Sequence, residues 1–462
     1  MTLKKLIGSW SFYKRTLVIA IPVLVQNLIT NLVNMIDNMM VGQIGTEQMS
    51  GVAIVNQLMF VFNLAVFGAL SGAGIFCAQF FGKKDMDGVR NTFRMKIYGS
   101  FFIVSIGILL FLIFGDELIN FYLHDAKEGI DIALTFKYAK QYLLIMLIGL
   151  VPFAYEQVYS STLREGKEAT VPMVSGIIAV ITNVVFNYFL IFGKFGFPQL
   201  GVIGAAIATV FSRFVQLAIT AIWAHTHKQR VPFTKGLYRS FKVPQELVAT
   251  VIKKGIIPLV ANEMLWACGI STLVHCYSTR GIDVVAGYNI ANVVINLFNV
   301  MFIAFGAGVG VVIGQLLGAN KLNEAKEAAP KLIFFAGAMC VVVGLAMACC
   351  CKLFPQMYNT TEHVRDLASC FILISAILMP IHGIMHSSYF AMRAGGKTGL
   401  MFAFDCGFSW GILVPFALAL TYFTDIEIIP LYFLCQSIEF IKCIISILLV
   451  KSDIWISNIV SD

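Results

Sequence analysis

The sequence predicts an all-α membrane protein of twelve transmembrane helices, arranged as two six-helix lobes. Three observations carry that prediction. The 462 residues are 58% hydrophobic and only 13% charged, where a soluble domain runs near 25% charged. Twelve apolar segments are long enough to cross a bilayer. One stretch also occurs twice, because 22–82 and 258–318 align without a gap. The shared positions are Pro22/Pro258, Gly45/Gly281, Gly51/Gly287, Ile54/Ile290, Asn56/Asn292, Phe62/Phe298, Asn63/Asn299, Gly72/Gly308, Gly74/Gly310, Gln79/Gln315 and Gly82/Gly318. Apolar composition alone does not reproduce shared Pro, Gly, Asn and Gln positions. A fainter echo sets Leu163-Arg164-Glu165-Gly166-Lys167 against Met392-Arg393-Ala394-Gly395-Gly396-Lys397. The chain is a tandem duplication.

The segments fall at 17–41, 52–80, 97–115, 141–162, 170–192 and 203–223, and again at 255–277, 287–316, 332–351, 368–391, 400–422 and 430–450. At ~1.5 Å per residue a segment of about 25 residues spans about 37 Å, enough for a ~30 Å hydrocarbon core with some tilt. The alternating strands of a membrane barrel are absent from the pattern. With six helices per half, the copy enters the membrane in the same orientation. The expected organisation is therefore a lobe over 1–224, a linker over 225–254 and a lobe over 255–462. A pseudo-twofold along the membrane normal relates the lobes, with a substrate site between them near midplane.

Charge orients the bundle. Of the 33 lysines and arginines, 24 lie in the amino terminus and alternate loops, seven lie in the opposite loops, and Arg213 and Lys442 lie inside helices. The positive-inside rule then puts both termini in the cytoplasm. The net charge of +8 is inner-surface charge and not a nucleic-acid footprint. The first apolar segment is too long for a cleavable signal peptide and leads straight into the bundle. Ten of the 11 cysteines follow residue 267, mostly within helices and none in CxxC spacing, which favours small apolar packing over disulfides or metal ligation.

Taken in order, residues 9–15 read as an interfacial lead-in. The first helix carries Gln26, Asn27, Thr30, Asn31, Asn34, Asp37 and Asn38 at three- and four-residue spacing, a polar stripe up one side. Lipid does not satisfy amides, so the stripe faces a cavity or another helix. Seven polar side chains ending in a carboxylate exceed what packing needs, which favours a cavity wall. Pro22 removes a donor and is expected to bend the helix. The small-residue ends Ser71-Gly72-Ala73-Gly74 and Gly306-Ala307-Gly308-Val309-Gly310 permit close helix approach. The basic stretch 225–254, broken by Pro232 and Pro244, reads as a cytoplasmic linker with a surface helix near 244–254.

Several blocks resemble the multidrug and toxic compound extrusion (MATE) family. They are Met35-Ile36-Asp37-Asn38-Met39-Met40-Val41-Gly42-Gln43-Ile44-Gly45, Leu200-Gly201-Val202-Ile203-Gly204-Ala205-Ala206-Ile207-Ala208-Thr209, Gly314-Gln315-Leu316-Leu317-Gly318-Ala319 and the Leu163 to Lys167 block. The resemblance covers nearly the whole chain. It implies a two-lobed secondary antiporter that exports organic cations and amphipathic drugs against sodium or proton entry. It also implies an amino-terminal cation site with Asp37, 15 residues after Pro22, and its fifth-helix partner Asn183. Asn187 stands where many members have Asp. In the second lobe Glu263 resembles the seventh-helix carboxylate, and His382 falls where sodium-coupled members often carry Asp.

Intramembrane carboxylates usually serve pathways or relays. Glu263 and Asp37 are therefore expected to couple, with sodium near either one, against the bland reading of a structural ion pair (Lys442 or Arg213 for Glu263). For Asp405 and Glu156, gating or pairing competes evenly with ion coupling. His382 and His386, four apart, are either a titrating pair or satisfied interior histidines. Glu439 and Lys442, three apart, read as a local ion pair. The expected cavity residues are Gln26, Asn27, Asn31, Asn34, Asn56, Asn292, Tyr155, Tyr159, Trp266 and His386. The aromatics among them suit flat cations, although each taken singly reads as packing.

A lipid-linked oligosaccharide flippase on the same superfold is the alternative, but flippases usually carry more helices and a basic cavity. An intramembrane enzyme would want a compact nucleophile or metal constellation, and HExxH and Walker A sequences are both absent. The expectation is a monomer in lipid, with no cofactor beyond the coupling ion and no nucleic-acid partner.

Overall fold

A segment surrounded by lipid must satisfy its backbone internally, which leaves the helix as the solution for each apolar run. The computed structural model describes residues 6–123 and 131–461, the side chains of 33–35 excepted. Twelve helices among the described residues are long and apolar enough to cross a membrane. They are α1 (Trp10–Gly42), α2 (Thr46–Lys83), α3 (Met86–Leu123), α4 (Ile132–Glu165), α5 (Thr170–Phe192) and α6 (Val202–Thr226), then α7 (Gln245–Ser278), α8 (Ile282–Gly318), α9 (Leu322–Met357), α10 (Glu362–Ala394), α11 (Thr398–Phe423) and α12 (Ile428–Lys451). Every apolar segment lies inside one of these helices. Most helices overrun their apolar windows, and two begin on side-chain caps. Asp131 accepts from the Leu134 N–H at 3.0 Å and Thr361 from that of Val364 at 3.4 Å, each satisfying an orphan donor of a first turn. Exposed Phe101, Phe102, Ile106, Leu109, Leu112 and Ile113 give α3 a face suited to lipid. All 11 cysteines are free thiols.

Two compact units form. The first comprises Val25–Cys77 and Met86–Ile252, the second Met1–Leu24, Ala78–Asp85 and Lys253–Asp462. In the first, α6 packs on α4 and α5, and α3 on α4. A buried ion pair joins α3 to the end of α4. Lys96 Nζ donates to Glu165 at 2.7 and 2.8 Å, and to the Ser161 and Thr162 hydroxyls. The linker after α6 is packed against this unit. Arg94 donates to the Leu237 carbonyl at 2.9 and 3.1 Å, and Phe233 and Leu237 are fully buried. The helix expected near 244–254 is not a separate surface element. It is the start of α7, joined through a π-helical turn at Ile252–Ile256.

In the second unit α10 is central, packing on α8, α9 and α12. Its outer core joins Tyr277 of α7, Ile290 and Val294 of α8, Phe371 of α10 and Tyr432 of α12, with the Tyr432 and Ser375 hydroxyls 2.9 Å apart. The repeat is visible in the backbone. Lys84 and Asn320, equivalent positions in the turns after α2 and α8, both take the left-handed conformation (φ 60° and 59°). Here too the repeats contact each other reciprocally. A Cβ on Gly82 would stand 2.0 Å from the Gln315 carbonyl oxygen, and one on Gly318 would stand 1.9 Å from that of Gln79. Gln79, fully buried, donates to the Ala394 carbonyl at 2.8 Å and accepts from the Ile459 N–H at 2.9 Å.

Gly82→Ala and Gly318→Ala should each cost about 1–3 kcal/mol, because the obstacle is backbone and cannot turn aside. Gly399→Ala, with nothing within 4 Å of its Cβ, should be neutral or slightly stabilising. Thermal unfolding of the purified variants checks the contrast.

Candidate functional site

Each unit builds one polar cluster inside its helices. In the first unit the polar stripe of α1 brings Asp37 against α5. Asn187 Nδ2 donates to Asp37 Oδ1 at 2.6 Å. Asn183 lies one turn earlier on the same face. With its amide nitrogen facing the carboxylate, it donates to both Asp37 oxygens at 2.8 and 2.9 Å, while its oxygen accepts from Thr209 of α6 at 3.2 Å. Both asparagines are buried, and Asn187 Oδ1 has no donor among the described residues. No Lys, Arg or His among the described residues pairs with Asp37. Arg213 of α6, half-buried, donates instead to the Gly149 carbonyl at 3.3 Å and lies over the Phe153 ring. The resulting donor set is a carboxylate, two amides and a hydroxyl. The carboxylate suits a proton as it stands, and with the amides turned to present their oxygens the same residues would suit sodium.

In the second unit the carboxylates are compensated by cations. Lys442 Nζ of α12 donates to Asp405 Oδ1 at 2.7 Å, and Asn262 Nδ2 of α7 donates to Asp405 Oδ2 at 2.8 Å. Asn262 Nδ2 also stands 3.4 Å from the Tyr389 hydroxyl. Asp405 sits in a π-helical turn of α11 (Ala403–Gly407), followed by a second at Ser409–Leu413. A wider turn shifts the phase of the residues beyond it and often marks a functional position. Trp410 donates to the Leu265 carbonyl at 3.0 Å and ties this irregular stretch to α7. Glu263, the neighbour of Asn262, faces Arg393 of α10 at 3.7 Å. The expected Glu439–Lys442 pair is therefore replaced. Lys442 reaches across to Asp405, because a salt bridge to a carboxylate on another helix also neutralises that carboxylate.

The remaining expected residues are distributed. Gln26 packs at Gly176 of α5, where a Cβ would be 3.4 Å from its side chain. Gln26, Asn27 and Asn31 are half-buried, and the Asn34 side chain lies outside the described residues. Asn56 is exposed on its unit, and Asn292 and Trp266 are half-buried on theirs. Tyr155 is half-buried, whereas Tyr159 is buried with its hydroxyl 2.5 Å from that of Tyr238 and 3.0 Å from His225 Nε2, so it anchors the linker. His382 and His386 stack on Phe302, at 6.1 and 4.3 Å between ring centres. Glu156, buried nine residues before the end of α4, accepts from Ser160 and from Gln157. Among the described residues no three His, Cys, Asp or Glu gather as a metal site.

Sequence reasoning missed Asn262, Tyr389 and Arg393. Asn262 had a signal, since it is the repeat equivalent of Gln26, and Arg393 stands in a repeated block. Asp37→Asn, which strips no cation of its partner, should change stability by less than about 1 kcal/mol. Asp405→Asn leaves Lys442 buried without its counter-charge and should cost about 3–5 kcal/mol. Chemical or thermal unfolding in detergent compares the two.

The MatE family model matches residues 22–189 and 258–419. A probable multidrug resistance protein of Bacillus subtilis, YoeA, is 22% identical over 416 residues, covering 89% of this chain and 88% of that protein. The multidrug resistance protein MdtK of Pectobacterium atrosepticum is 26% identical, covering 87% of each chain. Among solved structures, a Vibrio cholerae MATE transporter, VcmN, superposes with a TM-score of 0.84 at 16% identity, covering 96% of this chain and 97% of that one.

Proposed function

The chain belongs to the MatE (multidrug and toxic compound extrusion) family, and on that premise we propose that it is a secondary antiporter coupled through Asp37. It is an integral membrane protein of twelve helices, a transporter and not an enzyme. Its substrates on this reading are amphipathic or cationic drugs, in keeping with the names of its relatives. The working cycle is alternating access, with entry of sodium or a proton driving drug export. The chain acts as a monomer in a bacterial inner membrane with both termini in the cytoplasm, as its loop charges favour.

One observation carries the assignment of coupling. Of the two carboxylates expected to couple, Glu263 faces Arg393. Of the two weighed evenly, Asp405 pairs with Lys442, and Glu156 is already held by the Ser160 hydroxyl and the Gln157 amide within its own helix. Asp37 is held by neutral amides only. A coupling carboxylate must alternate between bare and neutralised states. A carboxylate already compensated by a fixed cation gains little from a second one, whereas a bare one inside a membrane is costly until an ion or proton arrives. Differential binding of ion and drug to the two access states then moves the equilibrium between them.

The test is reconstitution into liposomes with sodium and pH gradients imposed separately, using ethidium as a fluorescent cationic drug. Wild type should drive uphill transport with at least one gradient. Asp37→Asn should lose at least tenfold of that uphill transport while still binding the dye. Asn187→Ala should fall between the two, since it removes one of the amides that position the carboxylate. Gradient-driven transport by Asp37→Asn at the wild-type rate would sink the assignment.

A further inference from the structure

Asp405 resembles Asp37 in being an intramembrane carboxylate held by an asparagine amide, but its second partner is an ammonium. Both Asp405 oxygens are engaged, Oδ1 by Lys442 at 2.7 Å and Oδ2 by Asn262 at 2.8 Å. The Lys442 side chain is only 5% exposed. The Phe404 and Phe408 rings of α11 lie 5.6 and 5.7 Å from its nitrogen and face it as cation–π partners. Glu439 lies one turn before it on α12. His386 and His382 approach from α10, and Glu263 from α7 with Arg393 beside it.

We propose that Lys442 is a resident counter-cation, whose ammonium fills the position at Asp405 that a coupling ion would otherwise take. The second unit is thereby made insensitive to the driving ion, and coupling is confined to the first. The inference rests on the reading of Asp37 given above. Its physical basis is competition. A tethered ammonium is present at a very high effective concentration, and its hydrogen bond to the carboxylate is charge-assisted, so dissolved sodium or protons do not displace it. A compact ammonium on a flexible stem is suited to imitate a monovalent ion at a single carboxylate oxygen, which a planar guanidinium is not. Without Lys442, the vacated position would offer the Asp405 Oδ1, a hard oxygen ligand for a monovalent cation, with Asn262 still holding Oδ2.

The experiment is run in an Asp37→Asn background, where the first-unit site is silent. Thermal unfolding of the purified protein is followed in sodium chloride and in N-methylglucamine chloride of equal ionic strength, at neutral and acid pH. Asp37→Asn alone should melt at one temperature in both salts. Asp37→Asn with Lys442→Met should melt lower in N-methylglucamine at neutral pH and recover by several degrees with sodium or with acid. Adding Asp405→Asn to that double variant removes the charge to be neutralised, so it should fold and show neither response. A purely structural lysine would lower the melting temperature equally under every condition, and that result would overturn the proposal. So would a Lys442→Met variant that fails to fold with sodium and with acid while the Asp405→Asn version folds. A sodium response remaining in Asp37→Asn alone, with Lys442 intact, would overturn the Asp37 reading together with the proposal, whereas the two preceding results leave the Asp37 reading standing. The two failures are therefore separable.

Discussion

Neutralising a carboxylate away from water is the constraint on which both polar clusters of this transporter depend. The molecule meets it in two ways. Asp405 is paired with a lysine from α12, and Glu263 faces an arginine from α10 at 3.7 Å. These pairs need helices distant in sequence to converge, and they bind α7, α10, α11 and α12 into one charged network under an apolar outer core. Asp37 receives only dipoles, from Asn187 and Asn183, with Thr209 behind them. Dipoles hold a carboxylate in position without cancelling its charge. On the proposed reading, that difference separates a group fixed in one state from a group free to change state.

The duplication supplies the framework that holds these sites. The repeated glycines at the carboxy-terminal ends of α2 and α8 permit backbone contact, since Gly82 rests on Gln315 and Gly318 on Gln79. The turns that follow repeat the same left-handed residue. Once two copies share a backbone, their side chains are free to diverge, and the polar sites have done so. Position 37 is a carboxylate, and its repeat equivalent is the apolar Leu273. The second copy carries its charge at Glu263, opposite Asn27 in the repeat.

Twelve helices, the repeat and the Asp37, Asn183 and Asn187 group were legible in the sequence. Length and hydropathy report the helices directly, whereas the asparagine partners of Asp37 came from the family resemblance and not from spacing. The partners in the second cluster were not legible. Lys442 has Glu439 three residues away, so the spacing rule for helices pointed to a local pair, and nothing local announces that Asp405 on α11 is nearer. The π-helical turn at Ala403–Gly407 adds to this, because a pattern read at ordinary helical phase misplaces the residues it carries. Tyr159 was read as an aromatic of the cavity for a similar reason. Its hydroxyl is taken by Tyr238 and His225 because the linker folds back onto α4, and a basic, proline-broken stretch carries no signal of that packing.

The central claim is that Asp37 changes state during transport while the cation-paired carboxylates do not. Infrared difference spectroscopy of the reconstituted protein reads this directly, by comparing spectra before and after the driving ion is added and after drug displaces it. The expected result is a carboxyl band change in wild type that persists in Glu263→Gln, in Glu156→Gln and in the double variant Asp405→Asn with Lys442→Met, and that vanishes in Asp37→Asn alone. A band change that survives Asp37→Asn and disappears with Glu263→Gln would contradict the account and move coupling to the second unit.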